Sequence, residues 1–419
     1  MRNFLDLKTA KEFWTTVKEQ IELRNLKKEM VNFENSINRV LADEIIASVN
    51  LPSFNRSTVD GYAVRSRDIQ GVSESLPAYL DLIGEVVMGK VTKLLVQEGE
   101  AVYIPTGGML PEGADCVVMV EHTEKISEKL VECHSSVGVG ENIIKKGEEI
   151  EKGELIFNQG HRIKPRDMGA LAGLGYTNVK VNEKPKIIII STGDELIPPG
   201  KKLKFGQIRD INTHTISSLL KETGVEVIKA GIIEDTYSKL KQSIKDHLDA
   251  DLILVSGGSS AGIKDITVDV IDKLGKPGVL IHGLKVKPGK PTILGQIDKT
   301  PIMGLPGHPG SAWMITNKFV KPFVKIIGGE YDVNEIENEI KKDLIKQSGV
   351  LNRNLSSKRG REETVPVKII EKDGKIYADP ILGKSSFMRI FIESKGYIEI
   401  ESENEGLKKG TDVEIIYFN

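Results

Sequence analysis

At 419 residues, with 39% apolar and 28% charged side chains, the chain has the composition of a soluble globular protein. Its length suggests about two to four domains. The 58 basic and 60 acidic residues leave a net charge of −2, without the basic excess of a dedicated nucleic-acid binder. No apolar run approaches the ~18 residues of a membrane span, and the N-terminus MRNFLDLKTAKEFW lacks the apolar core of a signal peptide. Two cysteines, Cys116 and Cys133, are too few for a disulfide framework or a thiolate zinc site. A reducing cytoplasm, with both thiols packed as small apolar groups, is the expected setting.

In chain order, the first ~50 residues read as helix-rich, with TAKEFWTTVKEQIELRNL placing Phe13, Val17 and Ile21 on one face. From Leu51 to about Gly140, short alternating stretches such as YLDLIGEVV and AVYIP, broken by glycine-rich turns, read as mostly β. Turns and a helix return after Gly140. The β region, 51–140, is therefore expected as an insertion into an N-terminal helical and linker module, 1–50 and 141–183. Beyond Lys184-Pro185, strand and helix alternate. KIIIIS, VEVIKAGII, LILVS, VLIHGL, TILGQI and PIMGL read as strands, and INTHTISSLLKETG, TYSKLKQSIKDHLDA and ITVDVIDKLG as helices. Repeated units of this kind imply an α/β domain, 184–329, with a parallel sheet between helices. The last segment, 330–419, opens on the charged connector EYDVNEIENEIKKDL. It continues into short strands with a KDGK hairpin turn, a small β-barrel by expectation.

Ligands of such sheets sit off the carboxyl ends of the strands. That rule singles out residues 191–195, 234–235, 256–265 and 306–309. The stretch SGGSSAGIKD follows a strand and precedes a helix without a P-loop or dinucleotide spacing. Ser256, Gly257, Gly258 and Ser259 offer backbone N–H groups to an anion, and Asp265 reads equally as the N-cap of the next helix. LKVKPGKP sets Lys285, Lys287 and Lys290 around a Pro-Gly turn, either as an oxyanion clamp or as a solvated turn. STGDEL offers Asp194 and Glu195 as hard-cation ligands or as helix caps, with Glu234 and Asp235 able to join them. GLPGHP reads as a stiff helix start with Pro309 in the first helical position, and His308 as a surface histidine. No Ser/His/Asp nucleophile arrangement or HExxH motif is recognisable.

The stretches LPSFNRSTVDGYAVR, IPTGGMLPEGADCVVMVE, ENIIKKGEEI, STGDELIPPGKKLKFGQIRDIN, SGGSSAGIKD, KVKPGKP and GLPGHPGSAW together resemble the MoeA family. These are molybdopterin molybdenumtransferases, a family that includes the C-terminal module of gephyrin. The resemblance spans essentially the whole chain. It implies insertion of molybdate, or the nearly isosteric tungstate, into adenylylated molybdopterin, with release of AMP and a divalent cation, usually Mg²⁺. It implies a homodimer whose cleft is shared between subunits, and a molybdopterin adenylyltransferase acting upstream.

By the same resemblance, Asp60 would face the cleft from the partner subunit, with Thr106 nearby. Glu195, Glu234 and Asp265 would surround the metal and molybdate. Lys287 and Lys290 would hold the pterin phosphate or oxyanion, Pro306 and Pro309 would shape the adjoining loop, and Ser385 or Ser386 would close the site. The chain departs from the family pattern at Glu234, where aspartate is usual, leaving Glu234 or Asp235 as the working acid. It also departs at His308, where asparagine is usual, and at Gly283, leaving Lys285 as the substitute for a family lysine. The alternatives are an adenylyltransferase, against which GGSS stands in place of GGTG, and a non-catalytic scaffold of the gephyrin kind.

Overall fold

The computed structural model describes residues 7–257, 261–383 and 388–418. Its central sheet is built from β1 (Lys186–Thr192), β2 (Glu226–Ile233), β3 (Leu252–Gly257), β4 (Pro277–His282), β5 (Ile293–Ile297) and β6 (Thr300–Leu305), in the spatial order β2-β1-β3-β6-β5-β4. The four isoleucines 187–190 are fully buried because both faces of β1 are covered. Ile187 and Ile189 pack with Ile216 and Leu220 of the helix Asn212–Lys221, whereas Ile188 and Ile190 pack with Leu240, Ile244, Val270 and Ile271 of Tyr237–Lys245 and Ala261–Leu274.

The sheet is mixed, which corrects the parallel expectation. Strands β2, β1, β3 and β6 run parallel, but β5 pairs antiparallel with both β6 and β4. Only Asp298 and Lys299 separate β5 from β6. A parallel crossover needs about a dozen residues, so this link can only be a hairpin, and Asp298 takes φ 52° within it.

The N-terminal segment holds less helix than its periodicity suggests. Its helix is Ala10–Gln20, closed by a capping box in which Thr9 Oγ1 accepts from Glu12 N (3.1 Å) and Glu12 Oε2 accepts from Thr9 N (2.7 Å). Phe13 and Val17 are buried as expected, and Ile21 caps the helix end. The helix packs on the central α/β core, where Phe13 meets Phe319 edge-on with 4.9 Å between ring centroids. Lys28–Asn32 is a strand instead, paired antiparallel with Asn178–Asn182.

Between these segments stands a six-stranded sheet ordered Cys116–Met119, Gly61–Val64, Glu100–Ile104, Ala78–Glu85, Leu130–Cys133 and Thr123–Ser127. Both cysteines are free and buried in its core, and burial pushes the Cys133 thiol up to about 11. Gly61 is required at its position, since a Cβ there would meet Val118 O at 2.0 Å.

After the helix Ile336–Asp343, the strands Glu362–Lys372, Lys375–Pro380, Lys346–Leu351, Asp412–Tyr417 and Gly396–Ile400 pair in that order. Glu362–Lys372 then pairs with Gly396–Ile400 to close a barrel. The KDGK hairpin forms as expected, with Asp373 and Gly374 at φ 52° and 70°. Lys318, 13% exposed, ties the α/β unit to this barrel through Glu362 and Glu399, with Thr364 Oγ1 at 3.2 Å. Burial works against its charge, but Glu399 and Glu362 outweigh burial and hold the ammonium above its ordinary range.

Replacing Lys318 by alanine leaves two carboxylates facing each other at the seam. The expected loss is about 2 kcal/mol, below the ~3–5 kcal/mol of a fully buried pair because Glu399 keeps solvent. Urea denaturation checks it. Because the folded value is raised, the stabilisation is complete below the ordinary lysine pKa of ~10.4 and fades only at higher pH.

Candidate active site

Register brings the chemistry-bearing loops together. Thr192, the last residue of β1, pairs with Ile233 at the end of β2 and with Gly257 at the end of β3, and Ser256 of β3 pairs with Leu305 at the end of β6. Four parallel strands therefore stop level, and residues 193–195, 234–235, those after 257 and 306–309 leave from one edge. Chain order reverses between β1 and β3, since β2 lies outside β1 and β3 lies on its other side. That crevice is where an α/β sheet receives a ligand.

On one side of the crevice stand acids. Gly193 has φ 152°, and a Cβ there would meet Glu195 Oε2 at 2.9 Å, so glycine lets the chain turn tightly into the carboxylates. Asp194 Oδ1 accepts from Asp235 N (3.2 Å). Asp235 is half-buried, whereas Glu234 is exposed. Burial raises the Asp235 carboxyl above its ordinary value, and the charges of Asp194 and Glu195 raise it further. Of the two acids left open by the sequence, Asp235 is the one that joins Asp194 and Glu195.

On the other side is the glycine-serine loop. Ser256 is buried, and its Oγ accepts from Asn212 Nδ2 (2.9 Å), which also donates to Gly307 O (2.9 Å). Asn212 thereby stitches the ends of β3 and β6 together, a role that RDIN in the sequence gave no reason to expect. Gly257 ends β3, while Gly258 and Ser259 lie outside the described residues. The following helix begins at Ala261, so Asp265 is its fifth residue and not its N-cap. The Asp265 side chain lies outside what is described.

Pro309 opens the helix Pro309–Ile315 in its first turn, with His308 as the extended capping residue and Pro306 buried. Lys285, Lys287 and Lys290 are all exposed, in the loop between β4 and β5 at the same end of the sheet. Val286–Lys287 pairs in parallel with Glu362 and Glu363 of the barrel, and Lys287 forms an ion pair with Glu363. Ser357 Oγ donates to the other oxygen of Glu363 (2.8 Å). The carboxylate compensation that clustered lysines require is thus present for Lys287. Lys285 and Lys290 have no ion pair among the described residues. Ser385 and Ser386 lie outside the described residues.

Asp60 and Thr106 do meet. Asp60 Oδ1 accepts from Thr106 N (2.7 Å) and Thr106 Oγ1 (3.1 Å), on the exposed edge of the inserted sheet. No hydrogen bond or ion pair joins them to the strand-end acids among the described residues. A cavity of about 540 Å³ lies elsewhere, between the barrel and the helices carrying Trp14 and Lys318, and none of the candidate site residues lines it. The three-residue donor group whose ligand atoms all fall within 4.8 Å among the described residues is Glu124, Glu132 and His134, on the inserted sheet and away from the crevice.

Comparison with known proteins agrees with this layout. Residues 8–175 match the family model described as the MoeA N-terminal region (domain I and II). Residues 188–326 match a probable molybdopterin binding domain, and 348–418 the MoeA C-terminal region (domain IV). A molybdopterin molybdenumtransferase of Haemophilus influenzae is 32% identical over 394 residues, covering 93% of this chain and 94% of that protein. One from Bacillus subtilis is 30% identical, covering 93% and 89%. Two solved structures of the molybdopterin biosynthesis MoeA protein from Pyrococcus horikoshii superimpose with TM-scores of 0.81 and 0.82, at 34% and 29% identity. Each covers 99% of this chain and 100% of its own.

The crowding of Asp235 carries a stability consequence. An acid whose folded pKa is raised destabilises the fold while ionised, so Asp235→Asn should raise Tm at pH 7.5 by on the order of 1–2 °C. The gain should vanish as pH falls below the ordinary aspartate value of ~3.9, where both states carry the neutral acid. Glu234→Gln should leave Tm unchanged. Calorimetry across pH distinguishes the two.

Proposed function

We propose the detailed chemistry of this chain from one premise: it belongs to the MoeA family of molybdopterin molybdenumtransferases. It is an enzyme of molybdenum cofactor biosynthesis, and it inserts molybdenum into molybdopterin. The finer reading is that the pterin arrives adenylylated, that molybdate or tungstate is the metal donor, and that AMP leaves. The observation that carries it is the flush strand edge, which sets an acidic pocket at Asp194, Glu195 and Asp235 beside a glycine-serine anion loop.

Within that reading each side has its task. Gly257 and the loop through Gly258 and Ser259 present N–H groups to the phosphate, and the N-terminus of the helix at Ala261 adds partial positive charge. By the family resemblance Asp265, the fifth residue of this helix, would serve the metal side. Lys287 and Lys290, with Lys285 beside them, draw the oxyanion and the pterin phosphate from solvent. Pro306 and Pro309 stiffen the loop that Asn212 holds against Ser256. Asp60, buttressed by Thr106, would serve the partner's crevice in a homodimer, and by the family resemblance Ser385 or Ser386 would close the site.

The acidic group offers carboxylate oxygens, the donors that a hard divalent cation such as Mg²⁺ takes, and Asp235 is short of positive charge where it stands, although the three side chains do not by themselves converge within 4.8 Å. Glu195, Asp235 and Asp265 would hold the ion, which when bound supplies Lewis-acid neutralisation of phosphate charge. A cytoplasmic setting and an adenylyltransferase upstream follow from the chemistry of the substrate. Among the described residues no helix is long and apolar enough to cross a membrane. Neither the adenylyltransferase nor the scaffold alternative has an observation in its favour.

AMP release from adenylylated molybdopterin with molybdate tests this. Asp265→Asn should abolish release with a much smaller loss of pterin binding. Glu195→Gln and Asp235→Asn should lower it by about 10²–10³, the scale of one lost charge-stabilising group. Glu234→Gln should stay near wild type. Full turnover in Asp265→Asn, or a Glu234 variant as inactive as the Asp235 one, would remove the assignment.

A further inference from the structure

Ser191, Thr192 and Ser256 end β1 and β3, and the hydroxyls of Ser191 and Ser256 have partners. Ser191 Oγ shares a hydrogen bond with Thr213 Oγ1 (2.6 Å), and Ser256 Oγ accepts from Asn212 (2.9 Å). Thr192 is 1% exposed, yet its buried Oγ1 has no hydrogen-bond partner among the described residues. A hydroxyl in that state is a net cost relative to valine, which has the same shape. Native proteins rarely keep such an atom without a use for it.

Strand alternation says where Thr192 faces. Ser191 continues the face of Ile187 and Ile189, toward the helix that carries Thr213. Thr192 continues the face of Ile188 and Ile190, toward the helices Tyr237–Lys245 and Ala261–Leu274. Those two helices are entered from residues 234–236 and from the glycine-serine loop. Its register partners, Ile233 and Gly257, are the residues from which both loops depart. The orphan hydroxyl therefore sits at the floor of the crevice, between the acids and the anion loop.

We propose that Thr192 is a substrate-binding residue, whose hydroxyl is completed by an anionic phosphate oxygen of the pterin substrate. The inference rests on the strand-edge reading of the site and adds a group to it that neither motif spacing nor charge had marked. The ligand-free chain leaves the donor unsatisfied. A phosphate oxygen bound at the strand ends would supply that partner, so the hydroxyl favours the bound state over the free one.

A structural hydroxyl and a ligand-binding one give opposite signs in the variant Thr192→Val. Full-length wild type, Thr192→Val and Thr192→Ser are compared for Tm without ligand, for binding of adenylylated molybdopterin by fluorescence titration, and for AMP release. The expected result is a ligand-free Tm for Thr192→Val equal to or above wild type, with affinity weakened roughly ten- to hundredfold, the range for a hydrogen bond to a charged group. Thr192→Ser, which keeps the donor, should recover most of that affinity. Wild-type affinity in Thr192→Val overturns the proposal. So does a lowered Tm with no recovery in Thr192→Ser, since packing would then be the cause. The titration scores the hydroxyl whether or not AMP is released; absence of release from wild type would instead count against the reaction assigned above.

Discussion

The functional architecture depends on one constraint, that four neighbouring parallel strands end at the same level. Thr192 lies between Ile233 and Gly257, and Ser256 lies beside Leu305. A one-residue slip in any strand would turn its terminal side chains to the opposite face and separate loops that now share a crevice. The isoleucine run of β1 fills both faces, and the Ser191–Thr213 hydrogen bond at its end marks the register. Asn212 then clamps the ends of β3 and β6 with a single carboxamide.

The crevice is held at some expense to the fold. Asp194, Glu195 and Asp235 repel one another at a partly desolvated edge, and Thr192 buries a hydroxyl with nothing to bond. Stability comes from elsewhere, from the two layers of apolar packing on the sheet and from the seam with the barrel. There Lys318 gathers Glu362 and Glu399, and the lysine loop is itself anchored by strand pairing to Glu362 and Glu363. Charges at the seam are compensated, whereas no ion pair among the described residues answers Asp194, Glu195 or Asp235, which supports the binding site proposed there. That contrast separates structural ion pairs from a binding site without appeal to motif.

Much of this was legible in the sequence, and the misses have physical causes. The buried strands of the α/β domain and the KDGK turn follow from local periodicity and backbone preference, and each forms where expected. The antiparallel β5 was missed because TILGQI looks the same in either direction, and only the two-residue link at Asp298 forbids a crossover. Asp265 was misplaced as a cap because the apolar stripe alone does not mark a helix start. The choice between Glu234 and Asp235 could not be made from adjacent acids, since which one turns inward depends on where β2 lets go of β1.

By itself the sequence determined the elements, the acid, glycine and lysine character of each loop, and through its resemblance the family. These are local properties, set by neighbours along the chain. Tertiary structure alone decided that Asp235 joins Asp194, that Lys287 answers Glu363 across 76 positions, and that Thr192 is left without a partner while Ser191 and Ser256 are not. Each depends on strand register and domain contact. Partnership is a property of groups brought together from distant positions, and no window of sequence contains both members.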